Sequence, residues 1–316
     1  MAFTISHKIP VVGDASDVLE AIRDYFVAND ARFEIIDQNG VNASNGWLAV
    51  RLVGGTGWDL WLGNYISGAS TWAGANILGG SPQGWSLHYA LGPAGGWSAG
   101  GDPEPLPDGP GGDMFSESPE GGAWWGKIRP FTAGQFFTAD ELHWLTIMDD
   151  PATGTLIILI DKGRNNSWDY GLLITRFDSR FESDDQYPVV ALAGVPEISG
   201  ATSWIFASDS PNTWSTILLP GDTTQGLVSQ DGIFDLAADN QPNPVNGKYD
   251  LPQVGFKCDT AGIKHNRGLI SAAALRQCSS GLGERTILGG GAIGSTWIVV
   301  NGAKRLALPW DGSITP

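Results

Sequence analysis

The most constraining feature of this sequence is a glycine turn between two short apolar runs, WLAVRLVGGTGWDLWLGNY at 47–65. Runs of this length joined by GGTG predict a β-hairpin. Because successive side chains on a strand face opposite ways, Trp47 and Arg51 share one face, and Leu48 and Leu52 share the other. Both faces therefore carry bulky side chains. Such a hairpin is expected to be covered on both faces, either by its own chain or by another subunit.

Short apolar runs separated by turn-forming residues recur along the chain and predict a mainly β protein. Residues 14–29 differ, because their apolar side chains fall at helical spacing and predict an amphipathic helix that Asp14 or Ser16 can cap. Residues 270–278 fit either a strand or one short helix. Predicted strands lie at about 32–37, 47–53, 142–150, 155–160, 169–177, 187–194, 202–207, 215–219, 226–236, 296–300 and 304–308. We expect an antiparallel β-sandwich-like architecture with one N-terminal amphipathic helix and long glycine-rich loops.

Residues 66–127 are rich in Gly, Pro, Ser and Trp, and 92–122 consist almost entirely of turn-forming residues. We expect an extended surface segment here, either held by a partner or locally disordered. The chain as a whole, 1–316, is expected to form a single large β-rich domain, or to divide near residue 195 into a helix-plus-meander portion and a second β portion.

Composition and charge exclude several classes of partner. The net charge is −16, from 18 basic and 34 acidic residues, which argues against binding to nucleic acid and to anionic lipid. No apolar stretch approaches the ~18 residues of a membrane span, and the N-terminus lacks the pattern of a secretory signal. We expect synthesis in a cytoplasm without export by a cleaved signal.

The sequence contains no recognisable cofactor motif. There is no phosphate-binding P-loop, and GGGAIG at 289–294 resembles a bulged turn more than a dinucleotide site. The two cysteines, Cys258 and Cys278, make neither a disulfide framework nor a zinc motif. The histidines are expected to be structural; they are His7, His88, His143 and His265. We expect a protein that is not an enzyme and has no cofactor.

Two acidic loops are weak candidates for calcium sites, because Ca²⁺ prefers six to eight oxygen ligands. Neither loop matches an EF-hand or a calcium nonapeptide, and a solvated loop is the alternative. The first loop offers Asp102, Glu104, Asp108 and Asp113. The second offers Asp178, Glu182, Asp184 and Asp185.

The 14 tryptophans raise two possibilities for recognition. Indoles stack on sugar faces, and paired carboxylates can hydrolyse glycosides at a set separation. Large aromatic side chains in β proteins also serve as core or interface anchors. The candidate interaction residues are Trp58, Trp61, Trp72, Trp85, Trp97, Trp124 and Trp125.

Three segments resemble a family of tailed-bacteriophage virion structural proteins. The opening MAFTISHKIPVVGDASDVLEAIRDYFVANDARFEII resembles the strand, amphipathic helix and strand with which that family begins. Residues 155–194 resemble its central hairpin and the strand entered by Tyr187 and Pro188, although the family often doubles this YP pair. GSTWIVVNG at 294–302 also fits. The resemblance implies a virion component and assigns no active residue.

Taken together, the sequence predicts a non-enzymatic structural protein of a tailed-phage virion, in the tail, neck or adsorption apparatus. Its partners would be other virion proteins and further copies of itself. Two alternatives remain open: a capsid decoration protein, and a carbohydrate-binding adhesin or depolymerase that recognises a host surface glycan.

Overall fold

The structure is a computed structural model. It describes residues 4–42, 46–54, 58–65, 86–94, 129–130, 142–161, 170–179, 189–194, 224–229, 244–245, 251, 253–260, 263–271, 273–278, 282, 286–289, 296–301 and 306–310. The helix among them is α1 (Ala15–Ala28), and a 3-10 turn follows at Pro151–Thr153. The strands are β1 (Thr4–Val12), β2 (Phe33–Asn39), β3 (Trp47–Leu52), β4 (Trp58–Tyr65), β5 (Ser86–Pro93), β6 (Arg129–Pro130), β7 (Leu142–Asp150), β8 (Thr155–Asp161), β9 (Tyr170–Ser179), β10 (Val189–Gly194), β11 (Thr224–Ser229), β12 (Val254–Thr260), β13 (Ile263–Ile270), β14 (Arg276–Gln277), β15 (Ile287–Gly289), β16 (Thr296–Asn301) and β17 (Leu306–Trp310).

These strands form three antiparallel sheets. An eight-stranded sheet has the order β1-β7-β8-β9-β13-β12-β11, with β10 also paired to β9. A five-stranded sheet runs from β2 to β6 in chain order, and a four-stranded sheet has the order β14-β17-β16-β15. The expected mainly β, antiparallel fold with an N-terminal amphipathic helix is confirmed.

One hydrophobic core joins α1 to the two larger sheets. The helix contributes fully buried Leu19, Ile22 and Phe26, and these pack with side chains of the five-stranded sheet and of β7, β8 and β9. Burial of each such side chain stabilises the fold by about 1.5–3 kcal/mol. Because the helix supplies part of this core, the two sheets and the helix form one packed unit.

The start of α1 is set by a capping box. The Asp14 carboxylate accepts a hydrogen bond from the backbone N–H of Ser16 at 2.8 Å, and the Asp14 N–H donates to Asp17 at 2.8 Å. Gly13 precedes this cap at φ +141°, a conformation that favours glycine. A Cβ atom at Gly13 would lie 1.9 Å from the Asp17 carboxylate, so the sharp turn from β1 into the helix depends on glycine here.

Both faces of the β3–β4 hairpin are buried within the single chain. Leu48 and Leu60 face the core shared with the helix, whereas Ala49 and Trp61 lie opposite each other on the other face and are also buried. Of the two possibilities left by the sequence, the chain itself therefore covers the hairpin. Bulk on both faces is thus not evidence for a neighbouring subunit.

One segment expected to be a loop contains a strand, one hairpin was not predicted, and residues 270–278 form neither one continuous strand nor one helix. Strand β5 lies inside 66–127, where eight consecutive residues pair with β4 and the alternate residues Leu87 and Leu91 are buried. The hairpin of β12 and β13 was not predicted at all. Within 270–278, strand β13 ends at Ile270 and strand β14 contains only two residues. Between them the Leu275 N–H donates a hydrogen bond to the Ser271 carbonyl, which forms a turn. The predicted strands at 202–207 and 215–219 lie outside the described residues.

The strand order crosses the suggested boundary near residue 195. Gly268–Ile270 of β13 pair with Phe177–Ser179 of β9, so a cut near 195 would divide the eight-stranded sheet. The four-stranded sheet instead has a separate small core, which contains Leu251, Leu288 and Trp297. No helix in the described part of the chain combines the length and apolar character needed to cross a bilayer.

Candidate functional site

Trp58, one of the candidate interaction residues, is a fully buried part of the core. Its indole Nε1 donates a hydrogen bond to the carbonyl oxygen of Gly154 at 2.8 Å. Gly154 ends the 3-10 turn between β7 and β8, so this bond ties the five-stranded sheet to the eight-stranded sheet. Trp58 is therefore not exposed to a neighbouring chain or a sugar, and its proposed contact role is corrected to an internal one.

Trp61 lies on the opposite face of β4 and is also fully buried. Its indole covers Gly63: a Cβ atom at that glycine would lie 2.3 Å from the Trp61 Cη2 atom. The absence of a side chain at Gly63 makes room for the ring. Trp61 is likewise corrected from a surface contact to an internal packing residue.

The remaining candidate residues from the sequence are not brought together by the described structure. Asp178 lies on β9, where its Cα is paired with that of Leu269. No three His, Cys, Asp or Glu side chains among the described residues are placed to hold a metal ion. The other candidates lie outside the described residues; they are Trp72, Trp85, Trp97, Trp124, Trp125, Asp102, Glu104, Asp108, Asp113, Glu182, Asp184 and Asp185.

A ladder of charged side chains crosses β2, β3 and β4. Arg51 on β3 is paired with Glu34 on one side and with Asp59 on the other. Its Nε lies 2.7 Å and its Nη2 2.9 Å from the two oxygens of fully buried Asp59, a two-pronged arrangement that fits a carboxylate. Hydrogen bonding to Asp59 is the main reason that the pKa of Arg51 is raised, so the guanidinium stays charged. Glu34 is more distant, with its Oε2 3.7 Å from Nη1.

A second cluster joins the end of α1 to β7. The hydroxyl of Tyr25 donates to the fully buried Asp149 carboxylate, and Arg32 Nη2 donates to the same oxygen at 3.0 Å. Arg32 Nε lies 2.7 Å from the other oxygen. Burial raises the pKa of Tyr25, and the hydrogen bond to Asp149 raises it further. Burial alone would lower the pKa of Arg32, but the bond and charge of Asp149 outweigh it and leave the pKa raised.

The other end of the helix meets a second polar group on β7. Nε2 of buried His143 lies 2.9 Å from the carbonyl oxygen of Gly13. A carbonyl only accepts, so Nε2 is the donor. From His143 to Asp149 the strand rises about 20 Å, and from Gly13 to Tyr25 the helix rises about 18 Å. The two lengths match, so polar anchors on one strand hold both ends of the helix.

His143 was expected to be structural, and neither charged cluster was predicted from the sequence. For Arg51 and Asp59 a signal existed, because opposite charges flank the predicted GGTG turn almost symmetrically. For Asp149 no local signal existed, because its partners lie 117 and 124 residues away.

The charged groups of these clusters are engaged within the chain, and the clusters fasten elements to one another. Asp59 and Asp149 each accept hydrogen bonds from an arginine of the same chain. The chemistry these groups support is attachment of a helix and alignment of strands. The chain matches no protein-family model, and comparisons with curated proteins and with solved structures found no match.

Proposed function

We propose that this chain is a non-enzymatic structural component of a tailed-bacteriophage virion, assembled in multiple copies in the tail, neck or adsorption apparatus. One observation carries the proposal: the polar and aromatic side chains described above make their contacts inside the chain. Trp58, Asp59 and Asp149 all serve packing or attachment, as expected of a protein whose task is to keep a shape.

The order of elements supports the same proposal. The chain begins β1, α1, β2 and continues into an antiparallel meander. That is the arrangement implied by the resemblance of the opening residues to phage virion proteins. The net charge of −16 is in keeping with a protein that avoids the packaged genome.

Neither of the two candidate tryptophans that the structure describes supports the glycan-binding alternative. A sugar-stacking indole must be exposed, and both Trp58 and Trp61 are fully buried. We therefore do not advance a second function.

The test is mass spectrometry of purified particles of the encoding phage, followed by antibody labelling of intact virions. We expect the chain in purified particles at more than one copy, with label on the tail, neck or adsorption apparatus. Presence in infected cells with absence from particles would refute the proposal. Labelling confined to the capsid surface would reassign the chain as a decoration protein.

A further inference from the structure

The turn that follows β2 begins with the dipeptide Asn39–Gly40 in an exposed position. Asn39 is the last residue of β2, and both Asn39 and Gly40 are exposed. Gly40 has φ +48°, a left-handed conformation that favours glycine. The Asn39 amide makes no hydrogen bond within the part of the chain that the structure describes. An exposed side-chain amide therefore lies directly before a residue that has no side chain.

This arrangement suits one intramolecular reaction. The backbone nitrogen of Gly40 can close a five-membered ring on the side-chain carbonyl carbon of Asn39, because no Cβ atom on Gly40 shields that nitrogen. Groups joined by so few bonds react much faster than the same groups on separate molecules. Exposed asparagine is for this reason a thermolabile residue.

We propose that Asn39 is the preferred site of spontaneous deamidation in this turn. The Gly40 nitrogen loses its proton to water or hydroxide and bonds to the Asn39 Cγ atom, and the Cγ–Nδ2 bond breaks with release of ammonia. Water then opens the succinimide at one of its two carbonyl carbons, which gives aspartate or isoaspartate. The net change replaces an amide and water by a carboxylic acid and ammonia, and it needs no oxidant, reductant or cofactor.

The same dipeptide occurs again at the other end of the turn, as Asn45–Gly46. Gly46 is buried, and its carbonyl accepts a hydrogen bond from the Asn64 N–H of β4 at 2.9 Å. The nitrogen that would attack Asn45 therefore belongs to a residue that is shielded from water and held against β4. The fold thus favours reaction at Asn39 over Asn45, although the two dipeptides are identical in sequence.

Reaction at Asn39 changes both the charge and the main chain. Aspartate adds one negative charge to a net charge of −16, on the same face of β2 as Asp37. Isoaspartate also lengthens the main chain by one methylene group just before Val41, which is a buried member of the core. We expect the isoaspartate form to be the less stable one, because the longer chain shifts Val41 out of its packing.

The experiment is incubation of the purified full chain in mildly alkaline buffer, followed over time by proteolytic digestion and tandem mass spectrometry. Replacement of ammonia by water raises the mass of the peptide, and fragmentation locates the change at Asn39 or Asn45. We expect product at Asn39 to accumulate first in the folded chain, and its rate to rise with pH because the attacking nitrogen must lose its proton. In guanidinium chloride, where the fold no longer shields Gly46, the two positions should react at similar rates.

Two variants act on the two reacting groups separately. Asn39→Gln requires a larger ring to close, and product at residue 39 should be lost. Gly40→Ala keeps Asn39 but places a methyl group beside the attacking nitrogen, and product at residue 39 should be strongly reduced. Circular dichroism checks the folding of both variants. If the alanine variant does not fold, because it carries a side chain at φ +48°, the comparison of the folded with the unfolded wild-type chain decides.

The proposal is overturned if the folded chain yields no product at residue 39, or if Asn45 reacts as fast as Asn39 in the folded chain. Urea denaturation of the separated isoaspartate and unmodified forms tests the consequence, and equal stability would contradict the displacement of Val41. These outcomes are independent of the virion test, because a chain found in particles can fail here and a chain that deamidates as expected can be absent from particles.

Discussion

Asp59 and Asp149 are both fully buried, and each has an arginine Nε at 2.7 Å, yet they connect the molecule on different scales. Asp59 meets Arg51 eight residues away on the adjacent strand. Asp149 meets partners more than a hundred residues away, at the end of α1 and just beyond it. The first carboxylate aligns two neighbouring strands, whereas the second attaches the helix to the eight-stranded sheet. The comparison teaches that the same ion pair stabilises local register in one region and tertiary docking in the other.

Asp149→Ala should have the largest effect, because it leaves Arg32 and Tyr25 without their shared acceptor in a largely buried place. Removal of one partner from a buried ion pair typically costs about 3–5 kcal/mol. Arg32 is 25% exposed, so we expect about 3 kcal/mol, measured by urea denaturation. The double variant Asp149→Leu with Arg32→Met removes both charges and should recover much of the loss. A loss below about 1 kcal/mol for Asp149→Ala would contradict the docking role.

Asp59→Ala should destabilise the protein less, by about 2 kcal/mol. Arg51 is 28% exposed and retains Glu34 nearby, so its charge is not left without a counterion. Urea denaturation of Asp59→Ala beside Asp149→Ala compares the local pair with the long-range cluster directly. If the two losses were equal, or their order reversed, the distinction between the two regions would fail.

Gly13→Ala tests the other end of the helix, where the capping box and His143 hold the turn. A Cβ at φ +141° against the Asp17 carboxylate disrupts the cap, and we expect a loss of about 2 kcal/mol in thermal or urea unfolding. Gly54→Ala is the matched control, since Gly54 has φ +95° and a Cβ added there would meet no atom within 4 Å. That control carries backbone strain alone and should lose about 1 kcal/mol. Equal losses would show that the cap contributes nothing.

The pH dependence of stability should give the smallest difference between the two clusters, and it arises from Tyr25 in the Asp149 cluster. The pKa of Tyr25 is raised in the folded protein, whereas an unfolded tyrosine titrates at about pH 10. Its contribution is therefore complete below about pH 10 and decreases as the pH rises further, by up to ~1.4 kcal/mol per pH unit. Tyr25→Phe removes this dependence, so urea denaturation between about pH 9.5 and 11 should show a shallower decline for the variant. Identical slopes for the two proteins would contradict the burial and hydrogen bonding of Tyr25.

Much of the fold was predictable because its signals are local. Helix α1 begins at Ala15 and ends at Ala28, close to the predicted 14–29, since the cap at Asp14 and the apolar stripe lie within the segment itself. Strands β3, β7 and β8 were also predicted, from continuous apolar runs bounded by turn residues. Strand β5 was missed because the surrounding glycines and prolines concealed a short alternating pattern. The β12–β13 hairpin was missed because its strands contain Lys, His and Asn in place of an apolar run.

The candidate site was predicted much less well. An exposed and a buried tryptophan have the same sequence signature, so Trp58 and Trp61 were assigned to contacts although both lie inside the chain. Their burial follows from which elements cover each face of β4, and the hairpin sequence contains no information about those elements. The pairing of Asp149 likewise depends on residues far away along the chain.

The sequence by itself determined the secondary structure of its clearest segments, the mainly β class and the net charge of −16, because these depend on side-chain type and near-neighbour spacing. Only the tertiary structure decided that the chain covers both faces of the β3–β4 hairpin. It also decided that His143 and Asp149 hold the two ends of α1. These features arise from contacts between residues distant in sequence, whose partners are chosen by packing of the whole core.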